Sequence, residues 1–222
     1  MRLFCILILI PTLLLPACTP STVRKDVSPA QHRQWANELI SIHDITGAIG
    51  EMEQAVKGNP NIADALLYAD LLESQGDYKV ARKVYKKAYR YPTDDVQKQA
   101  LNYRFALLEA TDFDNLKTAR KLAEALPPVD SRYFDLQAVL RFKQSEYKQA
   151  LEEVQRALAK AKDNEERGWA YYHMAQIYYE LRIEKDTFRS LFEATNNGRG
   201  HSLVARITNY WEAKRHIPFP TD

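Results

Sequence analysis

Apolar and polar residues alternate along this chain in three distinct ways. The first stretch, Leu3 to Leu15, is almost wholly apolar and is preceded only by Met1 and Arg2. Spanning hydrocarbon takes about 20 apolar residues, so this run is too short for an ordinary transmembrane helix and has the length of a secretory leader's core. The second stretch, Thr19 to Ser28, reads TPSTVRKDVS, a mixture of Pro, Ser, Thr and charges that behaves as a tether. Fully extended at about 3.3 Å per residue, it reaches roughly 33 Å. From Pro29 onward the apolar residues recur at helical spacing, and no segment alternates as a strand would. Runs such as ALLYADLLESQ and ALEEVQRALAKA combine good helix formers with one apolar face.

The helical region is internally repetitive. Small residues sit twelve apart in the pairs Ala36 and Ala48, Ala69 and Ala81, Ala138 and Ala150, and Ala175 and Thr187; Ala106 and Ala119 are thirteen apart. The first member of each pair advances along the chain by 33, 37, 32 and 37 residues. After the second member come a bulky residue four on and a small one seven on: Ala48-Met52-Ala55, Ala81-Tyr85-Ala88, Ala150-Val154-Ala157 and Thr187-Leu191-Ala194. Ala119-Ala123-Leu126 keeps the spacing with reversed sizes. Two antiparallel helices approach closely only where small side chains meet, so each set predicts one helix pair. Pro60, Pro92 and Pro127 close the first three pairs.

This pattern resembles the tetratricopeptide repeat, whose period is about 34 residues. Gly76-Asp77-Tyr78 and Ser145-Glu146-Tyr147 stand where that family turns between its two helices. The resemblance implies an all-α, right-handed superhelical solenoid of about five helix pairs, over residues 29–60, 61–93, 95–128, 130–163 and 165–197. A last amphipathic helix, about 201–215, carries Leu203, Val204, Ile207 and Trp211 on one side and is expected to cap the stack.

In such a solenoid one side of each first helix lines the inner curve, where the family takes protein or peptide partners. Mapped onto this sequence, that groove comprises Arg33, Asn37, Leu66, Asp70, Tyr103, Leu107, Arg132, Asp135, Phe142, Trp169, Tyr172, Gln176 and Tyr179. The last repeat is the most aromatic, and Tyr, Trp and Arg dominate interface energetics. Arg33 with Asn37 resembles part of the carboxylate clamp of chaperone-binding repeats, but Leu67 stands where that clamp has an asparagine, so the clamp is not carried over.

Charge and chemistry narrow the picture. With 31 basic and 29 acidic residues, the chain lacks the bias that nucleic acid or anionic lipid would select. Arg82, Lys83, Lys86, Lys87 and Arg90 form a basic stripe that should face outward, because Ala81, Val84, Tyr85 and Ala88 take the inward side. The five histidines show no metal-ligand spacing, and Asp112-Phe113-Asp114-Asn115 lacks the length and glycine of a calcium loop. Ser145 and Lys148 match the S-x-x-K of serine acylases, but they fall in a repeat turn without the accompanying motifs. Gly198-Arg199-Gly200 reads as a helix stop. The expectation is a non-enzymatic protein with no cofactor, no metal and no small-molecule substrate.

Leu15-Pro16-Ala17-Cys18 resembles the lipobox of bacterial lipoproteins, with an unusual proline. The resemblance implies that residues 1–17 are removed and Cys18 is lipidated; the tether over 18–28, the solenoid over 29–199 and the capping helix and tail over 200–222 follow. Several acyl chains on one residue make a durable anchor. Thr19, rather than an aspartate, favours the periplasmic face of the outer membrane. In plan the chain is similar to pilotin lipoproteins of type IV pili and to TadD-type lipoproteins. That implies a scaffold for an envelope machine such as a pilus or secretin. An accessory role in outer-membrane protein insertion or peptidoglycan-hydrolase control stands beside it, and an enzyme or periplasmic binding protein is the rival class.

Overall fold

The computed structural model describes residues 27–58, 61–91 and 93–214. The leader, Cys18, Pro60, Pro92 and the tail from 215 lie outside the described residues. Eleven helices follow one another among the described residues: α1 (Pro29–Ser41), α2 (Ile45–Gly58), α3 (Ile62–Ser74), α4 (Tyr78–Ala88), α5 (Asp95–Thr111), α6 (Leu116–Ala123), α7 (Ser131–Phe142), α8 (Tyr147–Lys160), α9 (Asn164–Glu180), α10 (Glu184–Asn197) and α11 (His201–Lys214). They form five antiparallel pairs, α1 with α2 through α9 with α10, and successive pairs stack on one another.

The alanine register builds each pair. Ala36, Ala48, Ala69, Ala81, Ala106, Ala119, Ala138, Ala150 and Ala175 are all fully buried, and Thr187 nearly so. Without a side chain beyond Cβ, these positions let two backbones approach closely, and dispersion contacts fill the space. The bulky members Met52, Tyr85, Val154 and Leu191 are buried behind them and plug the gap to the next pair.

The two ends of each first helix are marked as regularly as its middle. Ser28, Asn61, Asp94, Asp130 and Asp163 precede α1, α3, α5, α7 and α9, and each side chain accepts a hydrogen bond from a first-turn amide. Such a cap contributes about 1 kcal/mol. At the other end, one residue in each turn adopts a left-handed backbone: His43, Gly76, Asp114, Ser145 and Arg182. In four of them the following amide donates to the carbonyl five residues back: Asp44 to Leu39, Asp77 to Leu72, Glu146 to Arg141 and Ile183 to Tyr178. In the third pair Asn115 donates to Glu109, six back, and this extra residue explains the spacing of thirteen between Ala106 and Ala119. Only Gly76 adopts this conformation without crowding a Cβ against the carbonyl.

α11 follows the fifth pair and covers it, but it also does something the periodicity did not foretell. It turns inward and packs chiefly against α3, in the second pair. Leu203 and Ile207 thereby join one buried cluster with Trp169, Tyr172, Leu136 and Tyr103 from three different pairs. Gly168 makes the seat possible, since a Cβ there would lie 3.0 Å from both Leu203 Cδ2 and the Gly198 backbone.

Candidate functional site

The inner side of the first helices is where the sequence placed a groove, and its residues fall into three groups. The first is engaged in polar rungs between repeats. Both Arg33 Nε (2.6 Å) and its Nη2 donate to the Asp64 carboxylate, joining α1 to α3. Arg104 Nη2 donates to Asp70 at 2.7 Å, joining α5 to α3. Tyr103 donates its hydroxyl to Asp135 at 2.8 Å, and His173 Nδ1 lies 2.9 Å from the same carboxylate, so α5, α7 and α9 meet there. Arg132 donates to Asp130 at 3.0 Å and lies 3.6 Å from Glu166.

The rungs set the ionisation of their members. Burial and the neighbouring Asp135 charge push the Tyr103 hydroxyl well above its ordinary range, keeping it a donor. Burial alone would raise Asp70. The positive charge of Arg104, with hydrogen bonds from Ser202, Arg104 and the His201 amide, outweighs that and holds it below the usual carboxylate range. Asp130 is likewise raised by burial, but donation from Arg132 and Lys162 prevails and lowers it to about 2.

The second group lies under α11. Trp169 and Tyr172 are buried, 2% and 7% exposed, so the expectation of an open aromatic inner curve is corrected here. The hydrophobic side of α11 found a better partner in those rings than water could be. Tyr210 meets Tyr172 and Tyr179 edge-on at 6.0 and 6.1 Å, and Lys214 Nζ sits 4.0 Å from the Tyr179 ring centre. Burial pushes the Tyr172 hydroxyl up to about 12.

The remaining positions border the open surface, a small cavity or the core, and the cavity is lined in part by the same buried rings. Asn37 is exposed on a shallow depression along α1, beside Arg33, Gln34 and Glu38. Phe142, Trp169, Tyr172 and Gln176 converge on a pocket of about 180 Å³, together with Thr111, Lys143, His173 and Arg206. Leu66 is half-buried, and Leu107 is buried in the core.

Sequence reasoning missed the charges that fasten α11. Arg104 is held among Asp70 at 2.7 Å, Glu73 at 3.6 Å and Ser202 Oγ at 2.6 Å. Arg206 donates to Asp112 at 2.6 Å and to Glu73 at 3.2 Å, while Tyr85 donates its hydroxyl to Glu73 at 2.6 Å. A usable signal was present. Arg104 interrupts an apolar run on a first helix and Glu73 and Glu109 directly follow one, and a charge so placed demands a partner when buried. The basic stripe needs one correction as well. Arg82 is not free on an outer face: Nε and Nη2 donate to buried Glu109 at 2.5 and 2.7 Å, and its guanidinium lies 4.3 Å from the Phe113 ring centre. Lys83, Lys86, Lys87 and Arg90 are exposed, as the stripe requires.

Among the described residues no cluster of His, Cys, Asp and Glu could hold a metal ion, and no helix is long and apolar enough to cross a membrane. Ser145 is an exposed turn residue, and Gly198 caps the end of α10.

No family model matches the chain, and no curated protein matches it. Solved structures do. One chain of the APC/C hetero-tetramer Cut9-Hcn1 superposes with a TM-score of 0.59 at 17% identity, covering 78% of this chain and 34% of that one. PilW, a widely conserved type IV pilus biogenesis factor, gives 0.56 at 15% identity, with 76% and 77% covered. TTC0263, a thermophilic TPR protein of Thermus thermophilus, gives 0.51 at 16% identity, with 82% and 98% covered. The fold is a tetratricopeptide-repeat solenoid. At these identities the likeness shows architecture, and this chain spans only about a third of the first neighbour. Repeat solenoids present extended concave surfaces, and what each one does is set by the residues displayed rather than by the fold.

Proposed function

We propose that the protein is a non-enzymatic scaffold, anchored by lipid on Cys18 at the periplasmic face of the outer membrane, that binds envelope proteins or peptide segments through its inner face. The observation that carries the binding part is the convergence of Phe142, Trp169, Tyr172 and Gln176 on one pocket beside charged Lys143 and Arg206. Aromatic walls with a few placed polar groups are the usual make-up of a recognition site. The anchor rests on the apolar run ending in Leu15-Pro16-Ala17-Cys18 and on the short tether that follows. Assembly of a pilus or secretin is the machine we favour, supported by similarity of plan to pilotin lipoproteins and by the fold shared with PilW.

Two experiments test the two halves. Metabolic labelling with an alkynyl fatty acid should mark the wild-type protein and leave Cys18→Ala unmarked; equal labelling would remove the anchor. Crosslinking in intact cells followed by affinity capture should recover a pilus or secretin component. Recovery of an outer-membrane insertion factor or a peptidoglycan hydrolase instead would move the scaffold to another machine.

A further inference from the structure

The inner face already holds a helix, and that helix reveals what the face recognises. The α11 N-terminus sits on Asp70, whose carboxylate accepts the His201 and Ser202 amides at 2.6 and 3.2 Å and the Ser202 hydroxyl at 2.6 Å. A carboxylate there satisfies the unpaired amides of a helix N-terminus and complements its partial positive charge. Leu203 and Ile207, one turn apart, enter the aromatic seat of Trp169 and Tyr172. Between them Arg206 spans Glu73 and Asp112. Tyr210 completes the face against Tyr172 and Tyr179. Positions 202, 203, 206, 207 and 210 form one stripe of a helix.

The seat fits this occupant incompletely. Trp169 Nε1, His173 Nε2 and Arg206 Nε are buried without a hydrogen-bond partner. A buried polar atom without a partner costs free energy, and the alanine contacts inside the helix pairs contain none. The pocket of about 180 Å³ lies open beside α11, lined by these same three residues. The far side of the helix is not sealed, with Val204 51% and Trp211 42% exposed. A connection of only three residues, 198–200, holds α11 at high local concentration, which offsets an imperfect fit.

We propose that the inner face is a groove for an amphipathic helix, that α11 is its resident occupant, and that a partner engages by presenting a helix of the same chemistry and displacing α11. The pattern it must carry is a hydroxyl in the first turn, two aliphatic residues four apart with an arginine directly before the second, and an aromatic three residues after it. This deepens the scaffold reading and rests on it.

The test uses the full chain and a fluorescent synthetic peptide of residues 200–214 as the partner helix. The double variant Ser202→Ala with Arg206→Ala loosens the resident helix while leaving its seat intact. It should bind the peptide at least tenfold tighter than wild type by anisotropy. Adding Asp70→Asn should abolish that gain. Equal binding to wild type and the loosened chain, or none to either, overturns the proposal. Hydrogen exchange on the wild-type chain removes dependence on the variants' folding. Amides of 202–214 should exchange at least tenfold faster than the core amides of α3 and α9. Exchange at one common rate means that α11 leaves only on global unfolding, and overturns the proposal too. Light scattering that shows the loosened chain pairing with itself makes a second copy the occupant and overturns the separate partner. Crosslinked capture of an envelope protein that competing peptide leaves untouched would sink the displaceable helix and keep the scaffold. Absence of any captured protein would sink the scaffold itself.

Discussion

Two contacts in this molecule join helices by opposite chemistry. Inside a repeat, Ala138 meets Ala150 with no polar atom between them, and both are fully buried. Between α11 and α3, the contact is Asp70, Glu73, Ser202 and Arg206, with Arg104 in the midst. The first kind is dry and local and recurs in four pairs, with Thr187 replacing the second alanine in the fifth. The second is charged, joins residues more than 130 apart in sequence, and occurs once. The difference teaches where stability and responsiveness lie. A dry contact fails only by changing its volume, whereas a charged one fails when any member loses its partner or its proton.

The largest effect should come from breaking the charged contact. Arg104→Leu leaves Asp70 and Glu73 buried with less compensation, and removing one member of a buried ion pair typically costs about 3–5 kcal/mol. Urea melts of the purified protein measure it. A loss no larger than that of a surface change would mean that α11 and α3 are held chiefly by Leu203 and Ile207.

The dry contact is tested by filling it. Ala150→Leu should overpack the fourth pair and cost about 1–3 kcal/mol, whereas Lys83→Leu on the exposed stripe should stay within about 0.5 kcal/mol. Thermal melts of the two side by side decide whether the alanine register, rather than general hydrophobicity, builds the pairs.

Asp130 sharpens the comparison because it is a charged rung between neighbouring repeats. Its pKa is lowered to about 2, so the carboxylate favours the folded state at neutral pH. The contribution, on the order of 2 kcal/mol, is complete above the unfolded carboxylate's range near 3.8 and disappears as pH falls toward about 2. Asp130→Asn should therefore destabilise the protein at pH 7, lose about half of that effect by pH 3 and matter little near pH 2. A constant difference would assign the effect to the helix cap that Asp130 also provides.

The smallest effect concerns the turns. Ser145 holds a left-handed backbone that costs a residue with a Cβ about 1 kcal/mol or more. Ser145→Gly should recover up to about 1 kcal/mol, less the entropy of a freer unfolded chain. The same substitution in the second pair is already present, as Gly76.

Much of this fold could be read from residue spacing. The interval between small residues, twelve in four pairs and thirteen in the third, located all five, and each of those positions is buried. The caps at Ser28, Asn61, Asp94, Asp130 and Asp163 were equally visible, had they been sought at the same period. Several residues assigned to the groove are not free to meet a partner. Asp70, Tyr103 and Asp135 are spent on rungs, and Trp169 and Tyr172 lie beneath α11.

The sequence by itself determined the helices, their pairing and the order of the stack, because each depends on residues within about one repeat of each other. Where α11 would lie was decided only in three dimensions. Its hydrophobic stripe over Leu203 and Ile207 calls only for an apolar partner and does not specify which. Asp70 and Glu73, brought within reach by the curl of the intervening repeats, supplied a seat for Ser202 and Arg206 that no local pattern announces. A solenoid's inner face is shaped by small rotations summed over every pair. Contacts across it are therefore a property of the whole stack, and the alanines that set each rotation are also what delivered Asp70 to Ser202.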